Sequence, residues 1–151
     1  MNEIEHLAEQ HSRALGGPAW HGPSILELLK GVSAARAAAR PIPGAHSIWE
    51  LVLHIRTWDR VVLARLRGES FKPTPEENWP SIVGASPKSW KRAVREMTET
   101  HRKLNQAISA LSGARLSRTL PGKNYPLHHL VYGVIQHELY HAGQIGLLKK
   151  A

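Results

Sequence analysis

The chain has no cysteine, which excludes disulfides, thiolate metal ligands and a cysteine nucleophile, so any thiol chemistry must use a thiol from outside. Acidic residues are few beside basic ones, 12 against 20, for a formal charge of +8. The lysines and arginines are spread along the chain instead of forming a block, which argues against a nucleic-acid binder. Long apolar runs are missing too: none reaches the roughly 20 residues of a membrane span. The opening Met1-Asn2-Glu3-Ile4-Glu5 lacks the basic and apolar regions of a signal peptide. A cytoplasmic location away from the membrane is the expectation. Strand-like alternation is absent, and no internal repeat is visible.

What remains is helical periodicity punctuated by glycine and proline. The 151 residues suggest one domain, 1–151, large enough to bury its own core. Ile4, Leu7, Ala8, His11, Ala14 and Leu15 follow a 3.6-residue period that stops at Gly16-Gly17-Pro18. A helical turn or two from Pro23-Ser24 carries Ile25 to Leu29 into a bent, Ala-rich connection ending at Pro41-Ile42-Pro43-Gly44. A second long helix starts at Ser47, where Ser-Ile-Trp-Glu has capping-box spacing, and runs to Gly68. Residues 69–85 hold Pro73, Pro75 and Pro80 and read as a crossover loop. Ser86-Pro87 opens a third helix whose Trp90, Val94, Met97, His101, Leu104, Ile108 and Leu111 recur three and four apart until Gly113. The last begins near Pro126 and carries Leu127, Leu130, Val131, Val134, His137, His141, Ile145 and Leu148. The expected fold is all-α, a four-helix bundle with a crossover loop between the second and third long helices.

The chemistry sits on the last of these helices. His137, Glu138 and His141 form H-E-x-x-H, and residues four apart on a helix share a face, so two imidazoles aim at one point. Neutral imidazole is a good ligand for zinc, nickel, copper or iron. A zinc-peptidase reading, with Glu138 activating water, fails on completion: metzincins need a glycine and a third histidine where this chain has Gln144 and Leu147. A third ligand must come from upstream, and two histidines on apolar helix faces qualify. His54 lies in Leu51-Val52-Leu53-His54-Ile55, and His101 holds a seam position. Each also admits a purely structural role, His54 bonded to a carbonyl or to Glu50, His101 to Thr98. Gln144 and Trp58, each one turn beyond a candidate ligand, are placed to face or wall the same pocket. Glu138 reads either as a base beside the metal or as a solvated helix residue.

The stretches His46-Ser47-Ile48-Trp49-Glu50-Leu51-Val52-Leu53-His54-Ile55 and His137-Glu138-Leu139-Tyr140-His141-Ala142-Gly143-Gln144-Ile145, with Ala19-Trp20-His21-Gly22-Pro23-Ser24 upstream, resemble the DinB/YfiT-like superfamily of metal-binding helical bundles. The resemblance implies a metal triad of His54, His137 and His141, the bundle topology and a homodimer. Among the five tryptophans, Trp49 and Trp90 are candidates for an apolar dimer face. The resemblance also implies a divalent transition metal, zinc or nickel foremost and iron or manganese next. Some members of the family are transferases or isomerases that use bacillithiol, mycothiol or glutathione, with the metal holding the thiolate. The expectation is thus a metal-dependent thiol S-transferase acting on a small molecule. The alternatives are a metal-dependent hydrolase with Glu138 as general base and a non-catalytic metal-binding or stress-related module.

Overall fold

Helix starts are written into this chain as short polar residues followed three places later by glutamate. Asn2 with Glu5, Ser24 with Glu27, Ser47 with Glu50 and Thr74 with Glu77 each form a capping box, in which side chain and backbone satisfy one another's orphan donors. The computed structural model describes residues 1–151, and its regular secondary structure is all helical apart from one isolated bridge between Thr119 and Pro126. In order the helices are α1 (Glu3–Leu15), α2 (Ile25–Leu29), α3 (Ala34–Ala38), α4 (Ile48–Leu66), α5 (Pro75–Asn78), α6 (Pro87–Ser109), α7 (Gly113–Leu116) and α8 (Leu127–Lys150). None is long and apolar enough to cross a membrane.

The four long helices follow the sequence periodicity closely. Differences lie in the connections. The Ala-rich link contains α3, started by Ser33, whose hydroxyl accepts from the Arg36 amide. Residues 69–85 are not loop alone: Thr74-Pro75-Glu76-Glu77 begins α5, with proline in the first turn where its missing N–H costs nothing. Leu66 is followed by Gly68 at φ +85°, a left-handed turn that a side chain would resist.

Helix α4 packs on both α6 and α8, and α1 packs on the same two. Their buried side chains form two apolar clusters. One is built around Ile25, Ile48, Val52, Ile55, Met97 and Ile145, the other around Leu7, Val62, Leu104, Ile108, Val131 and Val134. Full burial of side chains of this size contributes about 1.5–3 kcal/mol each. Between the clusters runs a polar layer. Along α1 it is His11, between Leu7 and Leu15; along α4 Asp59, between Ile55 and Val62; along α6 His101, between Met97 and Leu104; along α8 Glu138, between Ile135 and Ala142.

Trp49 and Trp90 correct the expectation of a tryptophan dimer face. They are 2% and 6% exposed and belong to the first cluster, with rings 5.2 Å apart, and the Trp90 indole donates to the Val32 carbonyl at 2.9 Å. The amphipathic ring is there satisfied inside the molecule. The large apolar or aromatic side chains left in solvent include Trp20, Tyr132, Tyr140 and Leu147.

Candidate metal centre

The stiff part of the centre is α4 and α8, which place three imidazoles from two packed helices at one point. The Nε2 of His137 lies 3.0 Å from that of His54 and 3.0 Å from that of His141. His54 and His141 are buried and His137 is half-buried. The second nitrogen of two of the rings is fixed. His54 Nδ1 faces the Asn78 carbonyl at 2.6 Å, and His141 Nδ1 faces Gln144 Oε1 at 2.6 Å. Both acceptors require the proton on Nδ1, which leaves a bare lone pair on Nε2. Two lone pairs therefore converge on the Nε2 of His137, which can offer its single proton to only one of them. Burial, first, and then the neighbouring imidazoles push the His137 pKa down to about 3, while burial above all brings His54 to about 4 and lowers His141. Protonation does not relieve the crowding near neutral pH. A divalent cation does: three neutral nitrogens, two pairs of them 3.0 Å apart and all within 4.8 Å, can gather round an ion at roughly 2.1 Å, and the donor set fits zinc, nickel or iron.

The segment after α4 closes over this point. Helix α5 is tied to α4 by three contacts within five residues: His54 to the Asn78 carbonyl, the Thr57 hydroxyl to the Glu77 carbonyl at 2.9 Å, and the Trp58 indole to Asn78 Oδ1 at 2.9 Å. Trp79 is stacked between two imidazoles, 3.5 Å from His46 and 3.8 Å from His54, both nearly parallel. On one side His137 borders a cleft of about 430 Å³ whose walls include Trp58, Arg65, Lys123 and Tyr125; on the other, His141 borders a second cleft with Trp79, Tyr140 and Gln144. Neither is lined by a carboxylate.

The structure thus brings His54, His137 and His141 together and assigns Gln144 and Trp58 places beside them. His101 and Glu138 are placed elsewhere. Glu138, next to His137 in the chain, points some 100° round the helix into the core, is fully buried, and accepts from His101 Nδ1 at 2.9 Å. His11 Nε2 lies 3.4 Å from the same oxygen, and Asp59 Oδ2 is 3.8 Å from His101 Nδ1. The rings of His11 and His101 stack at 3.8 Å. Neither the Thr98 bond expected for His101 nor a solvated Glu138 is present: Thr98 donates to the Val94 carbonyl instead. Five buried atoms of this layer have no hydrogen-bond partner: His11 Nε2, both Asp59 oxygens, His101 Nε2 and Glu138 Oε2. Burial and the adjacent Glu138 raise the Asp59 pKa well above the usual carboxylate range, whereas the two histidines keep Glu138 ionised despite its burial.

His11 and Asp59 were missed as members of a site. Asp59 reads as an ordinary polar residue of Trp58-Asp59-Arg60, and the available signal was that each long helix carries a polar residue among apolar ones partway along its buried face. His46 is present in the sequence reading only within the stretch that carries the family resemblance, and Trp79 only within the 69–85 loop.

Fold and site together define an all-helical protein with a three-histidine candidate metal centre. Comparison with protein families matches the DinB superfamily over residues 20–145, and the chain belongs to that superfamily. Comparisons with curated proteins and with solved structures give no match.

Proposed function

We propose that the protein is a thiol-dependent transferase working at one divalent metal ion held by His54, His137 and His141, within the four-helix bundle and crossover arrangement of its superfamily. The observation that carries this reading is the absence of any carboxylate from both clefts beside a triad of neutral imidazoles. Glu138, the residue that would serve as base to a water nucleophile, is engaged by His101 inside the core. A water nucleophile would then have the ion alone to ionise it and no carboxylate to take its proton, whereas a thiol, with a free pKa of about 8.5, ionises far more readily than free water. A bound divalent ion would supply the positive charge that favours thiolate over thiol.

The chain's own residues do the rest. His54 and His141 are held in one tautomer by Asn78 and Gln144. Arg65 and Lys123, on the His137 side, attract the anionic part of a small thiol, and Trp58 and Trp79 wall its apolar part away from water. The thiol proton leaves to solvent; the sulfur forms a bond to an electrophilic carbon, and the leaving group departs with its bonding pair and takes up a proton. Exposed Tyr140 and Leu147, seven residues apart on one face of α8, are the surface through which we take two copies to pair.

The test is turnover of an electrophile with and without bacillithiol, mycothiol or glutathione, in metal-loaded and chelated protein. Dependence on both metal and thiol is expected. Turnover indifferent to thiol but abolished in Glu138→Gln would overturn the transferase in favour of a hydrolase. Light scattering at micromolar concentration should give a dimer; a monomer would remove the pairing.

A further inference from the structure

A second group of metal-ligand side chains lies within the molecule, separate from the three histidines. His11, Asp59, His101 and Glu138 come one from each of the four long helices, are at most 2% exposed, and have ligand atoms within 4.8 Å of one another. Two carboxylates in so dry a place are costly. A lone ionised carboxylate moved into the interior carries a penalty of several kcal/mol unless matched by charge and hydrogen bonds. Asp59 lacks the hydrogen bonds: both of its oxygens are buried without a partner, as is Glu138 Oε2. A divalent cation placed between them would give the unpartnered oxygens of both carboxylates a common partner.

Tautomer logic decides which of the four are ligands. Asn105 Nδ2 donates to the Ala8 carbonyl at 2.6 Å and lies 3.1 Å from His11 Nδ1. The Ala8 bond fixes the amide orientation, so His11 Nδ1 must accept and His11 Nε2 must carry the ring proton, directed at Glu138 Oε1. His11 therefore presents an N–H, not a lone pair, to the layer and is not a ligand. His101 Nδ1, by contrast, faces both carboxylates, 2.9 Å from Glu138 Oε1 and 3.8 Å from Asp59 Oδ2; without an ion it donates to Glu138, and an ion between the carboxylates would require the ring proton to sit on the unpartnered Nε2 instead. For bonds of about 2.1 Å, adjacent ligand atoms around one ion are separated by roughly 3.0–3.4 Å, and these two distances bracket that range.

We propose that Asp59, His101 and Glu138 form a second divalent-cation site in the core, with the His11 Nε2–H turned towards Glu138 at 3.4 Å. One imidazole and two carboxylates make a harder donor set than the three imidazoles of the first centre, so the class of ion is manganese(II) or iron(II) where the first favours zinc or nickel. The two sites share no ligand, although His137 and Glu138 are neighbours in the chain. Ion entry to so buried a layer goes through opening of the helices, and loading is faster during refolding than in the folded protein.

The test uses the full chain, stripped with chelator, with the first centre filled by one equivalent of zinc(II). Manganese(II) is then added to folded protein and, in parallel, during refolding from urea, and bound manganese is read by its electron paramagnetic resonance spectrum and by elemental analysis. Wild-type protein should hold one manganese in addition to one zinc. His54→Ala, which damages only the first centre, should keep the manganese and lose the zinc. Asp59→Asn, of equal size, should lose the manganese and keep the zinc, with circular dichroism confirming that it is folded. Zinc-loaded wild type in which all the manganese stays as the free aqueous ion by both loading routes would overturn the proposal, whatever the Asp59 variant does, and so would Asp59→Asn binding manganese as the wild type does. Loss of the zinc centre with retention of the manganese site would instead refute only the reading of the first centre.

Discussion

Removing the His54 ring separates what holds the metal from what holds the fold. In His54→Ala the ion would keep two nitrogens, both from α8, and lose the ligand that joins it to α4. Disturbing a partner of a metal ligand usually costs 10–100-fold in affinity, and removal of the ligand itself should exceed the upper end, a loss above about 2.8 kcal/mol. The cost to the metal-free fold is smaller. The ring contributes a hydrogen bond to the Asn78 carbonyl, worth about 1 kcal/mol net, and a stack on Trp79, worth about 0.5–1.5 kcal/mol. Against these stand the relief of crowded lone pairs around His137 Nε2 and the better helix propensity of alanine, about half a kcal/mol. The net destabilisation should be near 1–2 kcal/mol, with helicity unchanged. Competition titration against a chromogenic zinc chelator measures the first quantity, and urea unfolding of chelated protein the second. Zinc affinity within tenfold of wild type would refute the triad. An unfolded but still zinc-binding variant would refute the separation of the two roles.

Gln144→Leu should weaken zinc binding about 10–100-fold with little change in urea midpoint, because it frees His141 Nδ1 and nothing else that the core depends on; equal affinities would show that this bond does not orient the ring. Metal-free protein should lose stability as pH falls from about 6.5 towards 4: the unfolded chain takes up protons near 6.5, whereas folded His54 and His137 refuse them until about 4 and 3, so the stability is complete above the first value and the loss is complete below the last. Thermal scans should show that slope flattened in His137→Ala, and a melting temperature constant from pH 7 to 4 in wild type would contradict the depressed values. Zinc should slow cleavage by a glutamate-specific protease at Glu76 and Glu77, because the ion fixes His54 and thereby the Asn78 carbonyl; identical digestion rates with and without zinc would disconnect α5 from the centre.

Legibility in the sequence followed how local each signal was. The i, i+4 pair on α8 is a statement about one helix, and His54 stood out because its neighbours are all apolar. The four long helices announced themselves by period and by cap, and α5 carried the same kind of signal in Thr74-Pro75-Glu76-Glu77, overlooked amid three prolines. The polar layer was different. Asp59 and His11 acquire meaning only when four helices are aligned at one level, and that alignment is a property of packing that no single segment records. The fate of Glu138 was hidden for the same reason: its position on the helix was known, but which neighbour lay opposite was not. Trp49 and Trp90 fall in the core and not on a dimer face; tryptophan at an interface and tryptophan in a core have the same periodicity, and only their burial, with the Val32 carbonyl for Trp90, distinguishes the two.

The polar layer also acts as a key for how the helices slide past one another. A helix displaced along its axis by one turn, about 5.4 Å, would withdraw its member of the layer and push it among Leu7, Val62 and Leu104 on one side or Ile55, Met97 and Ala142 on the other. Apolar side chains tolerate such a shift, since one leucine replaces another. A buried aspartate, glutamate or imidazole stripped of its opposite numbers does not, and several kcal/mol separate the aligned arrangement from its neighbours. Two greasy half-cores that would pack in many alignments are thereby confined to one, and it is the one in which His54 of α4 arrives opposite His137 and His141 of α8.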